Sequence, residues 1–129
     1  MMDHLNVSAG FLLRASRVLK TLGHPVRLEI IKYLKNGERS VAEIQKHLGI
    51  LQSMTSQHLR LMYKKGIVNF RREGTTLHYS IAGEFIHRIL NCVTEAEGKL
   101  QSGELDIGWF GPEVEMKGEE QSDAAVQNS

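Results

Sequence analysis

The stretch Ile50–Arg72, ILQSMTSQHLRLMYKKGIVNFRR, carries the strongest structural signal in this chain. It predicts a short helix that ends at Gly66 and is followed by a basic β-strand. Four residues of the helix recur with the spacing i, i+3, i+4, i+7 and are expected to face a core: Thr55, His58, Leu59 and Met62.

The opposite side of this helix carries only polar side chains. Its residues, which we call the reading face, are Gln52, Ser53, Ser56, Gln57 and Arg60. Amides and hydroxyls with one cation and no carboxylate can hydrogen-bond base edges and phosphate oxygens without repelling DNA. We therefore interpret the helix as a DNA-recognition helix. An ordinary solvated helix face is the alternative, and the helix taken alone does not exclude it.

Charge is distributed unevenly along the chain. Residues 1–100 hold 15 Lys and Arg against eight Asp and Glu, a net charge of +7. Residues 101–129 hold Lys117 against seven acids, a net charge of −6. A basic body with an acidic tail indicates a polyanionic partner for the body. The alternative is that mixed charge only keeps the surface soluble.

Three helices are predicted before the recognition helix, over Ser8–Leu22, about His24–Lys35 and Ser40–Leu48. In the second, the residues expected to be buried are Val26, Leu28, Ile31 and Leu34, with Ile30 at the edge. Ser40 and Glu43 form a capping-box pattern at the start of the third helix. A short glycine-containing turn joins that helix to the recognition helix, which is the helix-turn-helix pattern.

After Gly66 the apolar period changes to two, which predicts a β-hairpin with its turn at residues 73–75. The tip of the hairpin carries four residues that can reach phosphates or an adjacent minor groove: Arg71, Arg72, Thr75 and Thr76. A hairpin that directly follows a recognition helix is a wing.

A last helix is predicted from Gly83 to about Leu100. This helix and the first one each show more apolar surface than a small core needs, which indicates a two-fold interface between two chains. The residues expected in that interface are Phe11, Leu12, Phe85, Ile86, Ile89 and Val93. We therefore expect a homodimer.

The expected fold is mainly α (α+β): a winged helix-turn-helix with about five helices and a two-stranded β-hairpin wing, dimeric through its terminal helices. Residues 1–100 are expected to form the DNA-binding and dimerisation domain. Residues 101–129 are expected to form an acidic C-terminal tail that is mostly disordered. Its apolar island around Trp109-Phe110 is expected to dock on the body, with binding to a partner as the alternative.

The sequence predicts a cytoplasmic protein. Met1–Gly10 lacks a basic region followed by a long apolar run, which predicts no signal peptide. No segment approaches the about 18 consecutive apolar residues that span a bilayer. Cys92 is the only cysteine, so no disulfide is expected within the chain.

Several motifs resemble the ArsR/SmtB family of bacterial winged-helix repressors: LKTLGHPVRLEIIKYLKNGE, VAEIQKHLGI, QSMTSQHLRLM and KKGIVNFRREGTTLHYSI. They lie within about Val18–Cys92. The resemblance implies a dimer with the first and last helices at its interface, a recognition helix in the major groove and a wing on the flanking backbone. It also implies the base-reading positions Gln52, Ser53, Ser56 and Gln57.

The chain departs from the family pattern at the start of the recognition helix. Leu51 stands where the family usually has a serine as N-cap, so the helix lacks an acceptor worth about 1 kcal/mol. Met54 replaces a smaller polar residue, and we expect it to fill space rather than to contact a thymine methyl group.

The metal ligands that the resemblance implies are replaced. Ser40 and Ala42 stand where arsenic and lead sensors of the family carry cysteines. The four positions of the zinc ligands hold Gly83, Phe85, Ala96 and Lys99. Since none of these side chains suits a metal, we predict no metal and no cofactor.

Three other residues raise alternatives. His87 lies on one helix face with Glu84, Asn91 and Glu95, and a solvated ridge with His87 bridged to Glu84 is favoured over a metal site between two chains. Cys92 is expected to be a small buried hydrophobe, with a redox role as the alternative. His58 is expected to be a hydrogen-bonded packing residue rather than a ligand.

The sequence therefore favours a homodimeric, sequence-specific regulator of transcription, a repressor, that binds a pseudo-palindromic operator in double-stranded DNA. The alternative is a winged-helix protein–protein adaptor that uses the Trp109-Phe110 island and the acidic tail. An enzyme is not expected, because the sequence has no phosphate loop, no nucleophile elbow and no base placed beside Cys92. No residue pattern names an inducer.

Overall fold

The computed structural model describes residues 8–104. These residues form α1 (Ala9–Leu22), α2 (Pro25–Leu34), β1 (Arg39–Ser40), α3 (Val41–Leu48), α4 (Gln52–Lys64), β2 (Val68–Glu73), β3 (Thr76–Ile81) and α5 (Glu84–Ser102). The chain divides into two compact units between Leu90 and Asn91. The first unit contains α1–α4, the sheet and the start of α5, which is the mainly α winged helix-turn-helix predicted from the sequence. The second unit contains the rest of α5.

Serines cap the N-termini of α1 and α3. Ser8 Oγ accepts a hydrogen bond from the backbone N–H three residues further on, at 3.1 Å. Ser40 Oγ accepts from the N–H of Glu43 at 3.1 Å, and the Glu43 carboxylate accepts from the N–H of Ser40 at 2.8 Å. The predicted capping box is confirmed. The bond from the Ser40 backbone also lowers the pKa of Glu43, because it stabilises the carboxylate.

The hydrophobic core of the first unit draws residues from each helix and from the sheet. Its buried members are Leu22, Val26, Ile30, Ile31, Leu34, Ile44, Leu59, Met62, Ile67, Val68, Tyr79, Ile86 and Leu90. Two predictions for α2 were wrong: Ile30 is fully buried rather than at the edge, and Leu28 is only partly buried. The reason is that α2 contacts α1, α3 and β3, so a wider arc of its surface is covered than one amphipathic stripe.

The sheet has three antiparallel strands in the order β1-β3-β2: the predicted two-stranded wing, β2 and β3, is confirmed, and β1 is a third strand that the sequence did not predict. β2 pairs with β3 from Val68 opposite Ile81 to Glu73 opposite Thr76. The added strand, β1, pairs Arg39 with Tyr79 and Ser40 with His78. A strand of two residues is too short to show an alternating pattern, and its partners lie far away in the sequence.

Helix α5 buries Ile86 and Leu90, while Phe85 and Val93 are 40% and 46% exposed. Cys92 is also exposed, so the expectation that it is a buried hydrophobe was wrong. The reason is helix geometry. Cys92 lies two positions after the buried Leu90, about 200° around the helix axis, and therefore on the other side of the helix. Within residues 8–104, none of the helices has the length and apolarity needed to cross a bilayer.

The apolar island with Trp109-Phe110 and most of the acidic tail predicted from residue 101 lie outside the described residues. The proposed boundary between body and tail, near residue 100, therefore stays a prediction.

Candidate nucleic-acid interface

Helix α4 places its two sides as the sequence predicts. Thr55, Leu59 and Met62 are completely buried, and His58 is 5% exposed. On the reading face, Gln52, Ser53, Gln57 and Arg60 are exposed and Ser56 is partly exposed. The side chains that the reading face offers to a ligand are therefore amides, hydroxyls and one guanidinium.

The turn that leads into α4 is fixed by the backbone conformation of one glycine and by two hydrogen bonds. Gly49 adopts a left-handed conformation with φ 70°, which glycine adopts without the steric cost that a Cβ would bring. Gln45 Nε2 donates to the carbonyl oxygen of Ile50 at 3.3 Å. The hydroxyl of Thr55 donates to the carbonyl oxygen of Leu51 at 3.1 Å. Leu51 itself makes no side-chain cap, and is 67% exposed.

A partly buried polar network holds α4 on the preceding helices. The Nε of Arg27 donates to Nδ1 of His58 at 3.2 Å, and its Nη1 donates to the carbonyl oxygen of Thr21 at 3.1 Å. The ring of His24, whose Nδ1 caps α2, lies 4.9 Å from the ring of His58. The prediction that His58 is a hydrogen-bonded packing residue is confirmed. The recognition helix is thus tied to the end of α1 and the start of α2.

The β2–β3 hairpin, Val68–Ile81, is the wing, and a groove separates it from the start of α4. This helix–wing groove has a volume of about 270 Å³ and is lined by Val41, Ala42, Gln52, Ser56, Thr75, Thr76 and Leu77. Four of these residues were singled out in the sequence as DNA contacts, two on the helix and two at the wing tip. The fold therefore brings their amide and hydroxyl groups to one concave surface.

Aromatic rings pack the wing against the end of α4. The ring of Phe70 lies 4.8 Å from Tyr63 of α4 and 5.6 Å from Tyr79 on the neighbouring strand. Tyr79 is 3% exposed, and burial raises the pKa of its phenol. These contacts set the distance between the wing and the recognition helix.

The same role was predicted for the two wing arginines, Arg71 and Arg72, but their surroundings differ. Arg71 forms an ion pair with Glu38: its Nε lies 3.0 and 2.9 Å from the two carboxylate oxygens, and its Nη2 lies 2.9 Å from Oε1. Arg72 is exposed, and makes no ion pair within residues 8–104. Sequence reasoning missed Glu38, because 33 residues separate the two partners and no periodic pattern links them.

Sequence reasoning also missed a stack beside the helix-turn-helix. The ring of Tyr33 on α2 stacks on His47 of α3 with centroids 4.0 Å apart and planes at 3°. The guanidinium carbon of Arg39 lies 4.5 Å from the Tyr33 ring centroid, a cation–π contact. His47 Nε2 lies 2.9 Å from a carboxylate oxygen of Glu29. The stack connects α2, β1 and α3.

The positions that could hold a metal have other partners. Ser40 caps α3, and the exposed Ala42 lines the helix–wing groove. Glu84 pairs with Arg88 at 3.4 Å, whereas the sequence favoured a bridge to His87. Within residues 8–104, no three His, Cys, Asp or Glu side chains come close enough together to hold a metal ion.

The residues expected at a dimer interface fall into two groups. Phe11, Leu12 and Phe85 are 44%, 56% and 40% exposed, and the rings of Phe11 and Phe85 lie 6.0 Å apart. Val93 is exposed as well. Ile86 is 4% exposed and Ile89 packs partly against the core, so Ile86 belongs to the interior of its own chain.

Sequence and structure comparisons agree with this architecture. The sequence profile described as "Bacterial regulatory protein, arsR family" matches residues 24–69. The biofilm growth-associated repressor of Agrobacterium fabrum is 38% identical over 76 residues, which are 59% of this chain and 65% of that protein. The homodimeric winged helix-turn-helix DNA-binding domain of Mb0332 from Mycobacterium bovis is 32% identical, with a TM-score of 0.68 over 78% of this chain and 93% of that one.

This chain belongs to the ArsR family of bacterial regulatory proteins. The resemblance found in the sequence is thereby confirmed. A further neighbour in the family's fold is the transcriptional repressor PagR of Bacillus anthracis, 31% identical with a TM-score of 0.62 over 67% of this chain and 99% of that one. The chain spans between 53% and 65% of the length of two curated relatives, which are repressors by name. The comparisons do not favour the adaptor alternative.

Proposed function

We propose that this ArsR-family chain is a homodimeric, sequence-specific DNA-binding regulator of transcription that represses genes from a pseudo-palindromic operator. The main support for the proposal is the helix–wing groove. In this groove the start of α4, which has no acidic side chain, and the hydroxyls of the wing tip share one surface. The protein acts in the cytoplasm, performs no catalysis and uses neither a metal nor another cofactor.

In this proposal the two parts of the surface have different roles. Gln52, Ser53, Ser56 and Gln57 enter the major groove and read base edges, since amides and hydroxyls can both donate and accept. Arg60, Thr75 and Thr76 contact phosphates and sugars, which fixes the register of the protein on the duplex.

The dimer is proposed to form through α1 and α5. Phe11, Leu12, Phe85 and Val93 expose apolar surface that water would otherwise contact. Solved relatives support this arrangement, since the Mb0332 domain is described as homodimeric. A two-fold dimer presents two recognition helices, and the operator is therefore expected to be an inverted repeat with half-sites about one helical turn apart.

The proposal is tested with duplexes that the wild-type protein selects from a random pool. A Gln52→Ala, Ser56→Ala double variant is expected to lower the preference for the selected duplex over a scrambled one by about tenfold or more, because base contacts are lost. The exposed residue Asn36 provides a matched control, and Asn36→Ala is expected to keep the preference. Affinity is read by electrophoretic mobility shift at fixed salt.

Two results would contradict the proposal. If the wild-type protein enriches no duplex, it is not a sequence-specific DNA-binding protein. If it enriches one and the double variant keeps the full preference, the reading face is assigned to the wrong residues.

A further inference from the structure

The ion pair of Arg71 and Glu38 crosses the outer face of the three-stranded sheet. Arg71 lies on β2 opposite His78, and His78 lies on the central strand β3 opposite Ser40 of β1. Directly opposed residues point to the same side of a sheet, and so do residues two apart on one strand. Glu38 lies just before β1, two residues before Ser40, and its carboxylate reaches Arg71 on this same side of the sheet. Three contacts of 2.9–3.0 Å join the two side chains.

Glu73 and His78 complete a small network on this outer face. Glu73 Oε1 lies 3.9 Å from Nη1 of Arg71 and 3.4 Å from Nε2 of His78. The hydrogen bond to Glu38 raises the pKa of Arg71, since it stabilises the charged guanidinium. In the absence of DNA, the positive charge of Arg71 is therefore already paired with two carboxylates of the same chain.

Arg72 lies on the other side of the sheet. Its directly opposed residue is Leu77, and Arg72 shares its strand face with Phe70, two residues earlier, whose ring lies 4.8 Å from Tyr63 of α4. Arg72 is thus on the face of the sheet that packs against α4, whereas Arg71 is on the side of His78. Neighbouring residues of one strand point in opposite directions, so the two arginines cannot serve the same partner in the same way.

We propose that Arg71 and Glu38 form an intramolecular strap that fixes the wing to the segment entering α3, and that Arg72 is the wing arginine that contacts DNA phosphates. This inference rests on the proposed function and assigns separate roles to two residues of the same site. Arg71 and Glu38 are positioning residues. They hold β2 at a fixed angle to the helix-turn-helix, because Glu38 precedes the Ser40 N-cap of α3 by two residues.

The first test counts phosphate contacts from the salt dependence of affinity. Each phosphate contact contributes about 0.9 to the slope of log affinity against log salt, or about 3.5-fold between 50 and 200 mM. Arg72→Gln is expected to lower the slope by about 0.9, and Arg71→Gln, which loosens the wing but removes no phosphate contact, is expected to lower it by much less. Lys32→Gln removes one exposed cation on α2 and is the matched control. A slope lowered equally by Arg71→Gln and Arg72→Gln would overturn the assignment.

The second test exchanges the charges of the strap. Arg71→Glu places a carboxylate against Glu38, and is expected to weaken operator binding by about tenfold or more through a displaced wing. The double variant Glu38→Arg, Arg71→Glu restores an ion pair of opposite sense, and is expected to recover most of that loss. If Arg71 contacted phosphate directly, the double variant would bind no better than Arg71→Glu.

The strap is also tested without DNA, so its failure is distinguishable from failure of the proposed function. Amide hydrogen exchange in β2 is expected to quicken in Arg71→Gln and in Glu38→Gln, with no further increase in the double variant. Circular dichroism first shows that each variant is folded. Unchanged exchange in both single variants would overturn the strap. A wild-type chain that binds no duplex would overturn the role of Arg72 together with the proposed function.

Discussion

The start of the recognition helix offers a substitution that should stabilise the protein. Leu51 is the N-cap of α4, and it makes no side-chain cap hydrogen bond. Its backbone, with φ −63° and ψ 145°, nearly matches that of the Ser8 N-cap, with φ −60° and ψ 148°. Ser8 makes its capping bond at 3.1 Å. A serine at position 51 can therefore make the same bond without any change in the backbone.

Leu51→Ser is expected to raise the free energy of unfolding by about 1 kcal/mol, the usual worth of an N-cap serine relative to alanine. The loss of the leucine side chain costs little, because Leu51 is 67% exposed. With a urea m-value of about 2 kcal/mol/M, the unfolding midpoint rises by about 0.5 M. Urea unfolding must be compared at one protein concentration, since a dimer's stability depends on it.

Two matched variants separate the cap from the loss of an exposed leucine. Leu51→Ala removes the same apolar surface and adds no acceptor, so Leu51→Ser should be the more stable of the two by about 1 kcal/mol. Ser8→Ala, which deletes the equivalent bond on α1, should lose a similar amount. Equal midpoints for Leu51→Ser and Leu51→Ala would show that a serine at position 51 makes no capping bond.

Three further predictions concern other contacts. The pKa of Glu43 is lowered in the fold, so the ionised carboxylate stabilises the protein at neutral pH, and this stabilisation is lost as the pH falls below 4.5, the ordinary pKa of a glutamate. The difference in unfolding free energy between wild type and Glu43→Gln, measured by urea unfolding from pH 7 to pH 3, should therefore shrink as the pH falls. Phe85→Glu places a charge on the exposed apolar surface of α5, and analytical ultracentrifugation should show a shift from dimer to monomer while circular dichroism stays unchanged. Arg27→Met removes the donor to His58 and to the Thr21 carbonyl, and should cost about 1–3 kcal/mol in urea unfolding.

The parts of the fold that were predictable are those set by short-range pattern. The two sides of α4 follow from a spacing of three and four residues, and the capping box follows from Ser40 and Glu43, three positions apart. Helix periodicity and capping act within one or two turns, so a single sequence displays them fully. The family resemblance then supplied the arrangement of the elements.

The parts that were missed depend on contacts between distant segments. Strand β1 has two residues, and its partners on β3 lie about 40 positions later, so nothing local marks it. The same holds for the strap, whose residues are 33 apart. Ile30 was misplaced because three elements cover α2, and that coverage is a property of packing rather than of sequence period.

The candidate DNA surface illustrates both cases. Its members on α4 were found from periodicity, and the wing-tip threonines from their position at a turn. That these groups share one groove could be seen only in three dimensions. The difference between Arg71 and Arg72 also needed the strand register, since in sequence the two residues are identical neighbours.

The short strand β1 limits how the chain can change in length. Glu38 just before the strand and the two residues within it each contact a different element: Glu38 reaches β2, Arg39 lies over Tyr33 of α2, and Ser40 caps α3. Because side chains alternate along a strand, one inserted or deleted residue between α2 and α3 would turn all three away from their partners together. Variation in chain length is therefore expected to be tolerated at the wing turn around Gly74 and excluded from residues 37–40.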